Sequence, residues 1–379
     1  MDNIKIVIVR TSTLILDFKT YNCQELGLAK ALSKKGYKVS IITPDIKSAH
    51  YKEYVDKGKA IDIYTVKFIA LNRNICWHYN VDSILKEIKP NIIHINSFSL
   101  SMSFWYQIWA KRHNVKTVVI QGNYETTHKI IFKQLETIYN KTFGHYLLKH
   151  TNAVGGKTNW ACSFAKKYCK CEPLLTRIGL DIERFSKSED VDWCNKLGIK
   201  NKRKLLYVGS QEPRRNPIFL IKIISQLPND YILLLVGNGP SVPEVNKYID
   251  EYKLNNRVFQ LGKISQEKLP SLYKSCDLFL LPSNYEIFGM VILEAMFFHL
   301  PVISTLTAGA DAIIDNNLDS IIIPNLDVDE WTKKILEIMK DPSYHKKLSE
   351  AAYSKVMGHL TWDKTADEFI SLYKKALNE

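Results

Sequence analysis

The sequence predicts an α/β protein of two doubly wound units, each a parallel sheet with helices on both faces. Short β-rich runs alternate with helical runs through the first half, and the same alternation resumes in the second. A polar, irregular stretch over Gly179–Asn201 separates the halves. The 379 residues suffice for two ordinary cores, and 46% hydrophobic with 24% charged residues is a soluble, globular composition. The expected domains are 1–178, completed by a C-terminal helix near 362–379, and 179–361. Two such domains facing each other put strand carboxyl ends on either side of a cleft, the edge at which doubly wound folds bind ligands.

In chain order, the apolar run Lys5–Val9 reads as the first strand. Gln24–Lys35 is helical and stops at Gly36; Lys38–Thr43 and Ile61–Phe68 are strands. Val81–Ile88 is a helix, Asn91–Asn96 a strand, Phe104–His113 a helix and Lys116–Gln121 a strand. After the break, Lys204–Val208 is a strand and Pro217–Leu227 a helix; Tyr231–Val236 is a strand ending at Gly237-Asn-Gly-Pro240. Arg257–Leu261, Leu278–Leu281, Val302–Ser304 and Ser320–Ile323 are further strands, and Val328–Met339, Pro342–Val356 and Thr361–Leu377 are the closing helices.

The chemistry concentrates in Pro282–Pro301, PSNYEIFGMVILEAMFFHLP. A buried strand ends in a turn at Pro282-Ser283, and a helix runs from about Phe288 to His299. Glu286 then sits at the helix entrance and Glu294 within the helix. A rise of about 1.5 Å per residue puts their carboxylates roughly 8–12 Å apart, about the length of a diphosphate with a sugar on either side. Between them lies a helix N-terminus, whose free N–H groups and dipole favour a phosphate. A second basic loop, Gly209-Ser-Gln-Glu-Pro-Arg-Arg-Asn216, follows a strand and opens a helix. Its glycine lets a ligand approach the backbone, and Arg214 and Arg215 can reach a diphosphate with charge-assisted bonds.

The run Pro282, Ser283, Glu286, Phe288, Gly289, Glu294, Ala295, Leu300, Pro301, Val302 resembles the signature of the retaining GT-B glycosyltransferases of family 4. The resemblance extends over most of the chain. Lys89-Pro-Asn-Ile-Ile-His94, Gly179-Leu-Asp-Ile-Glu-Arg-Phe185, Tyr207-Val-Gly209 with Arg215, Val258–Gly262, Tyr273–Asp277 and Thr361-Trp362 each look like an element of that family. It implies a GT-B fold, and a hexose moved from a nucleoside-diphosphate sugar to a glycan or lipid-linked glycan, in surface polysaccharide assembly. It implies that Glu286 contacts the donor sugar and Glu294 the ribose hydroxyls. Arg215, with the N–H groups of Gly289, Met290 and Val291, would stabilise the departing diphosphate. Gly209, Arg214 and Phe288 complete the donor side, and Gln121 and Gly122 are the acceptor-side candidates.

Five departures from the family pattern stand out. Ser210 replaces an Arg after the glycine, Arg215 stands where relatives carry a Lys, and Gln121-Gly122 replaces His-Gly. His299 replaces a Gly. The first loop, Asp17–Glu25, lacks the Gly-Gly that relatives often have there.

Residues 1–170 hold 26 Lys and Arg against 11 Asp and Glu, a balance of +15; residues 171–379 hold 26 against 28, a balance of −2. Such asymmetry suits a polyanionic surface. Phe104–Arg112 and Lys129–Lys149 mix aromatics with cations as interfacial helices do, so attachment to the inner face of an anionic membrane is expected, with no nucleic-acid motif present. No run of eighteen apolar residues exists, and no signal peptide is expected from the N-terminal strand. The seven cysteines show no Cys-x-x-Cys and read as free thiols of a cytoplasmic protein. No cofactor or metal is expected; Asp190-x-Asp192 and Asp327-x-Asp329 read as linker and helix-cap residues. Two other readings remain open: a non-catalytic glycosyltransferase-like subunit, suggested by Gln121 and Ser210, and a UDP-sugar 2-epimerase.

Overall fold

The computed structural model describes all residues except 1–3, 17, 19–22, 57, 73, 127–129 and 379. The chain divides into two compact units, Met1–Gly179 with Trp362–Glu379 and Leu180–Thr361.

Unit 1 contains β1 (Lys5–Val9), α1 (Gln24–Lys34), β2 (Lys38–Pro44), β3 (Ala49–Asp56), β4 (Lys59–Val66), β5 (Phe68–Ala70) and β6 (Cys76–His78). It continues with α2 (Val81–Ile88), β7 (Ile92–Asn96), α3 (Ser101–Arg112), β8 (Lys116–Gln121) and α4 (Ile130–Tyr139). A π-helical turn, Asn140–Gly144, joins α4 to α5 (His145–His150), followed by β9 (Ala153–Gly156), α6 (Asn159–Lys166) and β10 (Leu174–Leu175). Among the described residues its main sheet runs β10-β9-β8-β7-β1-β2-β4-β3. All pairs are parallel except β3 with β4, which is antiparallel. The central strands read as unbroken apolar runs because both faces are covered: Ile6, Val7, Ile8 and Val9 are all fully buried.

Two features differ from the sequence expectation. Ala49–Asp56 carries no clear apolar alternation, yet it pairs as an edge strand because β4 offers it a ladder. The strand expected over Ile61–Phe68 ends at Val66, and Phe68 begins a separate hairpin in which β5 pairs antiparallel with β6.

Unit 2 opens with a 3₁₀ turn, Ile182–Lys187, and α7 (Trp193–Leu197), inside the stretch read as irregular. Trp193 organises that stretch: it is buried, and its indole donates to Ser271 Oγ at 3.0 Å. There follow β11 (Arg203–Val208), α8 (Pro217–Gln226), β12 (Tyr231–Val236), α9 (Val242–Glu251), β13 (Val258–Gly262), α10 (Leu269–Ser275) and β14 (Leu278–Leu281). Then come α11 (Met290–Phe297), β15 (Val302–Ser304), α12 (Ala308–Ile313), β16 (Ile321–Ile322), α13 (Val328–Lys340) and α14 (Pro342–His359). The sheet order is β13-β12-β11-β14-β15-β16, all parallel.

The last helix, α15 (Trp362–Leu377), belongs to unit 1. Its buried Phe369, Leu372 and Tyr373 cover that sheet, and Tyr373 OH lies 2.7 Å from His94 Nδ1 on β7. Arg177 reinforces the closure, its Nε donating to Glu368 Oε1 at 2.8 Å.

Both sheets reverse their winding at one place. In unit 1 the switch lies between β1 and β7; in unit 2 it lies between β11 and β14. Doubly wound sheets bind ligands beyond the strand carboxyl ends at such points. Among the described residues no helix is long and apolar enough to cross a membrane.

Candidate active site

In unit 2, the loops after β11 and β14 leave the sheet side by side at the switch point. They are tied together: Asn216 Nδ2 donates to Pro282 O at 2.7 Å and to Asn284 Oδ1 at 3.0 Å, and Asn284 N donates to Arg214 O at 2.8 Å. Asn216 itself sits at φ 50°, a left-handed conformation that asparagine tolerates. This lashing brings the first glutamate of the motif to the basic loop. Arg215 Nη1 lies 3.0 Å from Glu286 Oε1, and Ser283 Oγ donates to the same oxygen at 3.0 Å. Glu286 and Ser283 are buried. Burial pushes the Glu286 carboxyl up, against the downward pull of Arg215, then Arg214 and the Ser283 hydroxyl.

Gly209 makes room for this pair. A Cβ there would stand 2.7 Å from Arg215 Nη1 and 3.1 Å from Tyr207 OH, so any side chain would displace the guanidinium. Among the described residues, the buried Arg215 Nε has no hydrogen-bond partner. A buried N–H of a cation left unpaired is costly, and it marks a place where an acceptor oxygen would be stabilised. Arg214 is half exposed, with Nε donating to Glu212 Oε2 at 2.8 Å and Nη1 to Tyr285 O, next to Glu286, at 2.8 Å. The Ser210 carbonyl accepts from Tyr207 OH at 2.9 Å.

The helix beyond Glu286 starts later than the sequence suggests, at Met290, because Gly289 adopts φ 75° as its cap. Buried Phe288 precedes it, and Met290 and Val291 form its half-buried first turn. The first-turn N–H groups of a helix lack intrahelical acceptors. Glu294 is buried and faces a different neighbour: Tyr273 OH donates to its Oε2 at 2.9 Å. Burial, then the Glu294 charge, push the Tyr273 phenol well up, so it stays a donor. Ser283 and Tyr273 belong to the segments that resemble the family, but the sequence assigned neither a role at the site. Tyr273 lies 21 residues before Glu294, and no local pattern announces that contact.

In unit 1, Gln121 and Gly122 are buried at the end of β8. The Gln121 side chain is engaged by backbone, with Oε1 accepting from Phe98 N at 3.4 Å and Nε2 donating to Asn123 O at 2.9 Å. The polar cluster at this sheet's switch point lies beside them and was not foreseen. Arg10, just after β1, places Nη1 2.6 Å from Glu25 Oε1, and Asn96 Nδ2 at the end of β7 donates to that oxygen at 3.3 Å. Cys23 Sγ donates to Glu25 Oε2 at 3.2 Å, and Lys157 Nζ, after β9, donates to Gln24 Oε1 at 2.8 Å. Burial alone would raise the Glu25 carboxyl, but Arg10, then Lys157, outweigh it and hold it at about 2. Of the first loop, Asp17 and residues 19–22 lie outside the described residues.

The Asp-x-Asp pairs serve as helix starts. Asp192 accepts from Asn195 N at 3.0 Å, and Asp327 from Asp329 N and Glu330 N at 2.9 and 3.0 Å. Among the described residues no group of three or more His, Cys, Asp or Glu is placed to hold a metal ion.

Two family models match the chain: "Glycosyl transferases group 1" over residues 192–355 and "Glycosyltransferase Family 4" over residues 26–154. The first spans the whole Arg215–Glu286–Glu294 constellation. The chain belongs to the group 1 glycosyltransferases. Among relatives of this family, the alpha-D-kanosaminyltransferase of Streptomyces kanamyceticus is 25% identical over 183 residues, 48% of this chain and 47% of that protein. The chain thus spans about half the length of that curated relative. An uncharacterized glycosyltransferase of Methanocaldococcus jannaschii is 24% identical over 372 residues, 91% of each chain. The crystal structure of Anabaena HepE in complex with UDP and glucose superposes with a TM-score of 0.72 at 16% identity, covering 98% of this chain and 99% of that one. The fold of this group 1 glycosyltransferase is therefore GT-B, an α/β chain of two Rossmann-like domains.

Proposed function

We propose that the protein is a retaining hexosyltransferase. It moves a hexose from a nucleoside-diphosphate sugar to a glycan or lipid-linked glycan in surface polysaccharide assembly. The observation that carries this reading is the buried Arg215–Glu286 contact of 3.0 Å, set against the helix entrance at Gly289. Arg215 offers its unpaired buried Nε to the departing diphosphate, and the N–H groups of Gly289, Met290 and Val291 supply further donors. Glu286 contacts the donor sugar, and Glu294, oriented by Tyr273, accepts from the ribose hydroxyls. In a retaining displacement the bond from anomeric carbon to diphosphate breaks and the acceptor oxygen bonds that carbon on the same face. The acceptor proton passes to the departing phosphate. No metal or cofactor takes part in this scheme. The sugar transfers named for relatives, and the UDP and glucose held by HepE, support a nucleotide-sugar donor.

Unit 1 supplies the acceptor side. Arg10, Glu25, Asn96 and Lys157 gather about its switch point, and Gln121 and Gly122 lie at the end of β8 in the same sheet. A lipid-linked acceptor would bring the enzyme to the cytoplasmic membrane face.

The test is nucleoside-diphosphate release from UDP-, GDP- and ADP-sugars, for wild type and Glu286→Ala, with and without a lipid extract. Release from one donor that requires Glu286 and rises with lipid is expected. Calorimetric binding of a donor with no release under any condition would overturn the enzyme reading in favour of a non-catalytic subunit. Release that leaves a 2-epimerised free sugar would overturn it in favour of an epimerase.

A further inference from the structure

We infer that one face of unit 1 docks on an anionic lipid bilayer, through the β5–β6 hairpin, the N-terminal half of α3 and the α4–α5 helix. The inference specifies the membrane partner of the lipid-linked acceptor reading and rests on it for its purpose, although its geometry is independent.

The three elements meet at the start of α3. Ser101 N donates to Asn74 O in the hairpin turn at 3.2 Å, and Tyr139 OH at the end of α4 donates to Leu100 O at 2.9 Å. Aromatic contacts then run across all three. Trp77 of the hairpin meets Trp105 of α3 edge-on at 6.0 Å, and the adjacent Phe104 meets Phe143 at 5.1 Å and Tyr146 at 5.6 Å. The outer sides of these groups face solvent. Leu71 in the hairpin turn is 85% exposed, Trp77 52%, Ile138 60% and Phe143 50%. Isolated exposed apolar residues are ordinary, but a run of them joined by ring contacts is not.

The helix is re-phased to keep its apolar residues in line. Leu135, Ile138, Phe143 and Tyr146 are spaced three, five and three apart. A step of five leaves the face of an α-helix, and the π-helical turn Asn140–Gly144 absorbs the extra residue. Lys133, Lys141 and Lys149 are exposed on the same helical span, with Glu136 as its acid. Lys111 Nζ lies over the Tyr146 ring, 5.6 Å from its centroid, and 3.5 Å from its hydroxyl. Residues 101–170 carry 11 Lys and Arg against 2 Asp and Glu. An apolar stripe bordered by cations, on a segment almost without acids, is complementary to an anionic headgroup layer over a hydrocarbon interior.

The test is co-sedimentation of the full chain with vesicles of phosphatidylglycerol in phosphatidylcholine, and with phosphatidylcholine alone, across a salt series. Binding to the anionic vesicles that weakens with salt is expected. Lys141→Ala and Lys149→Ala should each weaken it by about fivefold. Trp77→Ser with Phe143→Ser should abolish it, while thermal melting of each variant stays near wild type. A folded wild type that does not sediment at low salt would overturn the inference. So would lipid-independent self-association that the Trp77/Phe143 variant removes, since a second copy would then cover the face. Vesicle binding needs no turnover: its failure beside intact diphosphate release sinks this inference alone, and the reverse pattern sinks the proposed function.

Discussion

Arg215 carries its charge 3.0 Å from Glu286, beneath a backbone that has no room for a side chain at Gly209. In the proposed reaction, removing that cation would leave the departing diphosphate without its main counter-charge. Arg215→Ala should lower kcat for diphosphate release by on the order of 10²–10³-fold, and Arg215→Lys should recover much of it. A kcat for the Ala variant equal to wild type would show that the residue does not face the diphosphate. Tyr273 acts one step back, through Glu294. Tyr273→Phe keeps the ring and its packing but frees the carboxylate to turn. The expected result is a donor KM raised by roughly fivefold with kcat little changed, the worth of one hydrogen bond. An equal drop in kcat would place Tyr273 in the chemical step itself.

The helix α11 shows how an element can keep its shape while its residues depart from the family pattern. It ends in two backbone bonds, His299 N to Met296 O and Leu300 N to Ala295 O, which together satisfy its last carbonyls. That ending requires a left-handed residue, and His299 stands there at φ 60° where relatives use Gly. Its ring stacks on Tyr353 with centroids 4.1 Å apart, which offsets part of the strain. His299→Gly should therefore leave stability within about 1 kcal/mol of wild type, exchanging stacking for conformational ease. His299→Val keeps the strain, loses the ring and adds a branched Cβ, and should cost roughly 2 kcal/mol or more. Urea midpoints of the two variants decide this; a Val variant as stable as the Gly variant would mean that the helix ends differently. The acidic start of α13 was legible from sequence because a cap needs only an Asp followed by a helical run, whereas Asp192, read as a linker residue, caps the short helix α7. The edge strand β3 was not legible, since its pairing depends on a neighbour and not on its own pattern.

At the scale of the whole molecule, the C-terminal helix closes unit 1 over a buried histidine. Burial first, then the Lys157 charge, hold His94 down from its ordinary 6.5 to about 4, and burial does the same for His78, to about 4. Between these values the unfolded chain binds protons that the folded chain does not. Stability is therefore full above pH 6.5 and falls as pH drops toward 4, by about 3 kcal/mol for each group. Glu25, held at about 2 against an ordinary 4.5, adds a further loss as pH falls through that lower window. Urea midpoints measured above pH 6.5 and near pH 4 should show the decline, and His94→Gln should remove its share while keeping a partner for Tyr373. A pH-independent midpoint over that range would mean that both rings are already protonated in the folded chain.

The α/β alternation in two halves and the two-glutamate motif were set by the sequence itself, and the resemblance carried by that motif implied the GT-B class. The alternation and the motif rest on short-range information: apolar periodicity, glycine and proline punctuation, and residue types at fixed spacing. The tertiary structure decided which charges meet. Arg215 and Glu286 lie 71 positions apart and touch because the sheet places β11 beside β14. Arg10, Glu25, Asn96 and Lys157 converge because β1, β7 and β9 end at one edge of a single sheet. Gln121, whose sequence position suggests an acceptor contact, has its amide engaged by the backbone of Phe98 and Asn123. Long-range pairing is fixed by sheet order, and sheet order minimises the exposed surface of the whole chain, a quantity no local window contains.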